Sequence, residues 1–218
     1  MRIQDLFTLV LAIIPLISQP TFGAGIGDKC FDFSSRIDHV LRPDLTAQRS
    51  GSQGVLAPDS GKPTTNEKDG IFWGVVTGDV HLPVRNVYFL LSDHNTTKSS
   101  RVEKMGVTEE MDPHYLLRQK VHFEIDPFPF VTVDWDEEWA YALLEGTSEK
   151  PTKVLISYEK VDGTSHIKHL CGSILITQIN PQSSEVLFYE EVQATNQSQG
   201  DTVSGLKGKL KNLQSHAP

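Results

Sequence analysis

One short run of the chain concentrates the carboxylates that acid–base or metal chemistry would need. Asp134–Glu138 holds four of them, and Trp139 follows directly. Paired carboxylates serve as acid and base in glycoside hydrolysis, and carboxylate clusters bind Ca²⁺. The run lacks the spacing and the internal glycine of a Ca²⁺-binding loop. Because charged runs usually form a solvated face, the sequence predicts neither a catalytic nor a metal site here.

Two histidines and a cysteine form the other cluster with ligand chemistry. His166, His169 and Cys171 lie in a stretch that predicts a strand. Residues three apart on a strand point to opposite faces, so the three side chains cannot converge on one zinc ion without a bend. No adjacent base would activate Cys171 as a nucleophile, and no nucleotide-binding or hydrolase motif occurs. The sequence therefore assigns no catalytic residue, no metal and no cofactor.

Cys30 and Cys171 are the two cysteines of the chain. Outside the cytoplasm they would either form one disulfide, tying the N-terminal segment to the body, or remain two thiols. Both alternatives stay open at this point, because a disulfide requires a particular distance and orientation of the two side chains.

Composition limits the class of protein. The 218 residues, 38% of them hydrophobic, suffice for one domain with a core. The formal net charge of -8 has the wrong sign for binding a phosphate backbone, so no nucleic-acid partner is expected. Nothing in the composition indicates an oligomeric state.

The N-terminus has the pattern of a secretory signal peptide. Arg2 precedes the apolar run Leu6–Ile17, which is shorter than the roughly 20 apolar residues that span a bilayer. Thr21 and Gly23 fill the small-residue positions of a cleavage site, so residues 1–23 are predicted to be removed. The alternative is an uncleaved anchor helix. Cleavage would give a secreted or periplasmic protein without a stable membrane span.

Residues 24–70 are predicted to be an appended segment. Phe33–Leu45 has a short helical pattern that Pro43 ends. Thr46–Gly70 is rich in Gly, Pro, Ser, Thr and Asn, which is typical of a linker or a long surface loop.

The body, residues 71–214, predicts a strand, a helix, a series of antiparallel strands and a closing helix. β-branched and aromatic residues fill Ile71–Leu82, and Pro83 stands where a helix can start. Apolar and polar residues alternate over 115–125, as in a strand with one wet face. The Asp162-Gly163 pair indicates a hairpin turn.

The closing helix has a cap signal and an apolar stripe. Gly200-Asp201-Thr202 offers the cap. The stripe at helical spacing consists of Val203, Leu206, Leu210 and Leu213.

Three segments resemble the START-like (SRPBCC) superfamily. Val80–Asp93 resembles the family's first strand running into its first helix. Asp126–Asp134 resembles its Pro-Phe-Pro turn, although Trp135-Asp136 stands where the family commonly has Arg-Asp. Gly172–Ile176 resembles its Gly-x-Trp strand, with Ile174 in place of the tryptophan.

The resemblance implies an α+β helix-grip fold over residues 71–214: a curved antiparallel sheet wrapped around a C-terminal helix, with a hydrophobic cavity. Members of the superfamily mostly bind lipids or other apolar ligands. The inward-facing side chains of the strands and of the helix opposite them would line such a cavity. Filling of the same space by these side chains is the alternative. The predicted lining residues are Tyr115, Leu117, Gln119, Val121, Phe123, Trp139, Tyr141, Ile156, Tyr158, Leu206 and Leu210.

Three functions follow as hypotheses. The first is a START-like protein that binds a lipid or other hydrophobic small molecule without chemistry. The second is a cyclase-like or hydrolase-like enzyme on the same fold, which would need a titratable group in the cavity, where the inward phases offer few beyond the tyrosines and Glu190. The third is an interaction module of the cell envelope whose acidic surface binds another protein. The first is the expectation.

Overall fold

The computed structural model of the protein describes residues 64–68, 70–99, 101–128, 130–195 and 198–217. The predicted signal peptide, the helical pattern at Phe33–Leu45 and Cys30 lie outside the described residues. The strands are β1 (Thr64–Lys68), β2 (Ile71–Val80), β3 (Lys104–Glu110), β4 (Leu117–Phe128), β5 (Val131–Gly146), β6 (Pro151–Gly163), β7 (Ile167–Asn180) and β8 (Ser183–Ala194). The helices are α1 (Val84–Ser92), α2 (His94–Thr97) and α3 (Gln199–Ser215).

The described strands form one antiparallel sheet of eight, in the order β1-β2-β8-β7-β6-β5-β4-β3. From β3 to β8 each strand pairs with its neighbour in the chain, and β8 then pairs with β2. The helices α1 and α2 connect β2 to β3, and α3 returns after β8 to lie against β2 and β8. This is the predicted helix-grip arrangement, which the structure confirms.

Helix α1 begins directly after Pro83, as the sequence predicts. Proline is suited to this place because a helix start needs no N–H donor there and the ring fixes φ, here at -58°. Val84, Val87 and Leu91 lie on one face of α1 and are buried. That face packs against β6, β7 and β8.

Helix α3 begins earlier than predicted. Its N-cap is Ser198 rather than Gly200-Asp201-Thr202, because a capping box forms there. The Ser198 hydroxyl accepts the backbone N–H of Asp201 at 3.4 Å, and the Asp201 carboxylate accepts the backbone N–H of Ser198 at 3.0 Å. Two backbone donors at the helix start are thereby satisfied.

Helix α3 lies directly on β2, and a glycine makes the close approach possible. A Cβ on Gly78 would stand 2.7 Å from Cδ2 of Leu210. Leu206 and Leu213 on the same helix face are fully buried. The core lies between this face, α1 and one face of the sheet. Among the described residues, no helix has the length and apolar character needed to cross a membrane.

Two strands were not expected. Strand β1 lies in the stretch predicted to be a linker, where Thr64 to Lys68 pair with Val75 to Ile71 of β2. Strand β3 pairs with β4 at the other edge of the sheet, and its side chains are almost all exposed. The sequence pattern indicated neither strand, because β1 contains no apolar residue and β3 contains only two, Met105 and Val107. Both strands are held by backbone pairing to a longer strand.

Candidate functional site

One face of β5 carries a stripe of aromatic residues with a carboxylate among them. Trp135, Glu137, Trp139 and Tyr141 are spaced two apart, and the unbroken pairing of β5 with β4 keeps them on one side of the sheet. Trp139 and Tyr141 belong to the core, and Glu137 is only 5% exposed. The prediction that the acidic run is a solvated face was therefore wrong for Glu137, because strand alternation turns this residue inward.

The two oxygens of Glu137 each accept one indole N–H. Trp135 Nε1 donates to Oε1 at 2.7 Å, and Trp139 Nε1 donates to Oε2 at 2.8 Å. Burial raises the pKa of Glu137 to about 7, because the ionised form loses its hydration. The indole hydrogen bonds and the charge of Lys209 oppose this rise in pKa, and the charge of Glu190 adds to it. Glu137 thus exchanges a proton near neutral pH.

A lysine, a carboxylate and a phenol meet between α3 and the sheet. Lys209 Nζ of α3 lies 2.7 Å from Glu190 Oε2 of β8. The Tyr158 hydroxyl of β6 donates to the same oxygen at 2.7 Å, and Lys209 Nζ lies 3.4 Å from that hydroxyl. The ammonium also lies 5.3 Å from the centroid of the Tyr158 ring, within range of a cation–π interaction. Glu190, which the strand pattern placed among the inward residues, is therefore ion-paired with Lys209.

Stacked rings connect the two polar groups. The indole of Trp139 stacks on the Tyr158 ring, with centroids 4.2 Å apart and planes at 13°. Trp135 stacks on Phe123 of β4 at 5.2 Å. The stack of Trp139 on Tyr158 therefore lies between the Glu137 carboxylate and the Lys209–Glu190 pair.

A buried hydrogen-bond network lies where α2 meets β4 and β5. Gln119 Oε1 accepts the Tyr141 hydroxyl at 3.0 Å and lies 2.9 Å from His94 Nε2. Gln119 Nε2 donates to the carbonyl of Ser92 at 3.3 Å. Burial lowers the pKa of His94 and raises that of Tyr141 well above its ordinary value, so both side chains are neutral at pH 7. The His94 ring meets Trp139 edge to face at 4.6 Å, which links this network to the β5 stripe.

The structure gathers most of the predicted lining residues. Leu117 is half-buried against the core, and Gln119 is buried with the hydrogen-bond partners that a buried amide requires. Tyr115 lies before the first residue of β4, with the Arg118 guanidinium 5.9 Å from its ring. Ligand contact by any of them stays a prediction. The remaining predicted residues share one hydrophobic core: Val121, Phe123, Trp139, Tyr141, Ile156, Tyr158, Leu206 and Leu210.

Four residues of this interior were not predicted to face inward: Trp135, Glu137, His94 and Lys209. For Trp135 and Glu137 a signal existed, since stepping back by two from Trp139 reaches both. For His94 and Lys209 no comparable signal existed, because their positions depend on how α2 and α3 pack against the sheet.

His169, Cys171 and Glu191 come together away from this interior. Their potential ligand atoms lie within 4.8 Å of one another, and His169 Nε2 lies 3.0 Å from Glu191 Oε2. The cross-strand pairing of Cys171 with Glu191 brings in a carboxylate that lies 20 residues away in the chain and belongs to no local pattern. Cys171 is disulfide-bonded, and a disulfide sulfur is not the thiolate that a metal takes. Cys30, the other cysteine of the chain, lies outside the described residues.

Comparison with known proteins gives a likeness of fold. No protein-family model matches the chain, and no curated protein matches it. The chain is similar to the lipid transfer and protein localization domain of human StarD13, with a TM-score of 0.56 and 9% identity over 81% of this chain and 95% of that one. It is also similar to the STAR-related lipid transfer protein of Xanthomonas axonopodis, with a TM-score of 0.54 and 16% identity over 75% of this chain and 96% of that one. Identities this low carry the fold alone.

Proposed function

We propose, on the premise that the chain has a START-like fold, that this protein binds a lipid or another hydrophobic small molecule between the sheet and α3. The proposal rests on the chemistry of the interior: the inward residues of β4, β5 and β6 and the apolar face of α3 belong to one cluster, so a molecule bound between the sheet and α3 would be surrounded by apolar side chains. Burial of apolar surface is the main driving force for binding such a ligand. The names of both similar structures refer to lipid transfer, which supports the same ligand class.

Native mass spectrometry with organic extraction tests the proposal. The mature chain from Ala24 is purified from its own compartment and weighed without denaturation. A stoichiometric adduct that extracts as an apolar compound is the expected result. A clean apo mass, unchanged after incubation with a panel of lipids and sterols, would overturn the proposal.

Two neighbouring residues of β6 offer a matched pair of variants. Ile156 belongs to the interior cluster that also contains the apolar faces of α1 and α3, and Leu155 lies in a separate cluster on the opposite face of the sheet; both are fully buried. Ile156→Phe should lower ligand occupancy because it enlarges a side chain of the interior. Leu155→Phe carries a similar packing cost and should leave occupancy unchanged.

Catalysis on the same interior is the second candidate, and Glu137 favours it. A buried carboxyl that exchanges a proton near neutral pH is suited to act as a general acid or base. The test is turnover of the extracted compound, followed by mass spectrometry. Conversion of the compound by the wild type that is lost in Glu137→Gln would support an enzyme. A compound that stays unchanged with the wild type would support a protein that only binds it.

We propose further that the protein is exported and cleaved after Gly23, and that Cys30 and Cys171 are bridged. The signal-peptide pattern supports the first statement, and the disulfide-bonded state of Cys171 supports the second. Peptide mapping of protein from its own source tests both. The expected N-terminus is Ala24, and the expected non-reduced digest contains a peptide with both cysteines. A retained Met1 would contradict export by cleavage.

A further inference from the structure

The Glu137 carboxylate has unused capacity to accept hydrogen bonds. An ionised carboxylate has about four acceptor sites, and the two indoles of Trp135 and Trp139 occupy one on each oxygen. Both donors are neutral, so they orient the carboxylate without balancing its charge.

No cation among the described residues lies within ion-pair distance of Glu137. Lys209 acts on it through space, but its ammonium is engaged by Glu190 at 2.7 Å. Lys160 stands opposite Glu137 in the pairing of β5 with β6, and no ion pair joins the two. A buried carboxylate without a counterion is unfavourable, and it is relieved by a proton or by a cation.

The surroundings of Glu137 favour a cation over an anion. When Glu137 and Glu190 are both ionised, Lys209 balances only one of the two charges. The indoles of Trp135 and Trp139 turn their N–H edges to the carboxylate, so the aromatic face that attracts a cation nearby is that of Tyr158. The protein itself places an ammonium over the neighbouring ring of Tyr158.

The carboxylate lies toward one end of the sheet. Trp135, two residues before Glu137, is half-buried and pairs with Gly163, the last residue of β6. A ligand could therefore place a charged group at Glu137 and its apolar part along the stripe toward Tyr141.

We propose that Glu137 binds the protonated amine of an otherwise apolar ligand, with Trp135 and Trp139 holding the carboxylate in position. This inference rests on the proposed function, the binding of a hydrophobic molecule, and specifies the polar group of that molecule. The ligand class is then a lipophilic amine. Fatty acids and other ligands with an anionic head are disfavoured, because Lys209 balances Glu190 and the ionised Glu137 leaves one negative charge uncompensated.

Three probes of equal chain length test this: decylamine, decan-1-ol and decanoic acid. Isothermal titration on the mature chain at pH 8, below the micellar concentrations, gives the affinity for each. Decylamine should bind one to one and at least about tenfold more tightly than decan-1-ol, since a charged hydrogen bond adds to the same apolar burial. Decanoic acid should bind more weakly than the alcohol.

The variants separate a specific site from general attraction to an acidic protein. Glu137→Gln should lower the affinity for decylamine to that for decan-1-ol measured on the same variant. Glu138→Gln is the matched control, since the neighbouring Glu138 pairs with Arg118 on the other side of the strand, and it should keep the full preference for the amine.

The wild-type protein supplies an independent readout if Glu137→Gln does not fold. The preference for amine over alcohol should rise between pH 6 and pH 8 as Glu137 ionises, while alcohol binding stays constant. The charged groups that act on Glu137 from the packed elements are Lys209 of α3 and Glu190 of β8. Lys160 of β6 is its cross-strand partner and forms no ion pair with it.

The outcomes distinguish this inference from the proposed function. Binding of decan-1-ol with no preference for the amine overturns the inference and leaves the hydrophobic binding site in place. Absence of binding for all three probes overturns the inference, and together with a clean apo mass after the lipid and sterol panel it overturns the proposed function as well. An amine preference that survives in Glu137→Gln also overturns the assignment to this residue.

Discussion

The phenol ring of Tyr158 lies across the backbone of Gly172 on the neighbouring strand. The two residues are directly paired between β6 and β7, and a Cβ on Gly172 would overlap the ring at Cζ and at the hydroxyl. Glycine therefore leaves the space that lets Tyr158 stack on Trp139 and reach Glu190.

Gly172→Ala should destabilise the protein by about 1–3 kcal/mol, because the added methyl displaces a buried ring. Urea unfolding measures the change. The control is Gly205→Ala in α3, where a Cβ meets nothing within 4 Å and alanine favours the helix by roughly 1 kcal/mol. Equal stabilities for Gly172→Ala and the wild type would show that Tyr158 does not depend on this glycine.

The stability of the protein should fall with rising pH through Glu137. Its pKa of about 7 in the folded state exceeds the ordinary value of 4.5, so the folded protein binds this proton more tightly than the unfolded chain. The resulting stabilisation is fully present below pH 4.5 and is lost as the pH rises through 7, a loss of roughly 3 kcal/mol. Urea unfolding of wild type and Glu137→Gln at pH 5 and pH 8 measures it. Parallel pH dependence in the two proteins would contradict the prediction, and Glu138→Gln should behave as wild type.

Gln119→Leu should cost about 1–3 kcal/mol, because it removes the acceptor that the buried His94 and Tyr141 side chains share. Thermal or urea unfolding at pH 7 gives the change. Gln178→Leu, at an exposed position of β7, is the comparison and should stay within about 0.5 kcal/mol of the wild type. Similar values for the two variants would mean that the network contributes little.

Lys209→Met should destabilise the protein by about 1–3 kcal/mol, because Glu190 then loses the cation that balances its charge. It should also raise the pKa of Glu137 above 7, since the charge of Lys209 lowers that pKa. Tryptophan fluorescence followed against pH reports the second effect, because two indoles donate to Glu137. Lys207→Met, on the exposed face of the same helix, should leave both quantities unchanged. A fluorescence midpoint unmoved in Lys209→Met would rule out the coupling.

Local patterns predicted much of the fold. The Pro83 start of α1, the hairpin turn at Gly163 and the apolar stripe of α3 were each readable from a few neighbouring residues. The inward phase of β4 was readable too, because a half-buried strand alternates with a period of two. The two edge-forming strands β1 and β3 were not, because their place depends on backbone pairing with strands elsewhere in the chain.

The sequence predicted only part of the candidate site. The aromatic positions on β5 followed from alternation, and so did Gln119 as a buried polar residue that needs partners. Glu137 lay on the same phase, yet its charge indicated a solvated position, since carboxylates are rarely buried. Two indole N–H groups from the same strand donate to its carboxylate and lower the energetic cost of burying it.

The sequence by itself determined which faces of the strands and of α3 are apolar, because that information lies in spacings of two to four residues. Only the tertiary structure decided that Lys209 reaches Glu190 and Tyr158, and that His94 reaches Gln119. Those contacts join residues from different elements far apart in the chain. Their distances depend on how the helices pack on the sheet, which no local spacing contains.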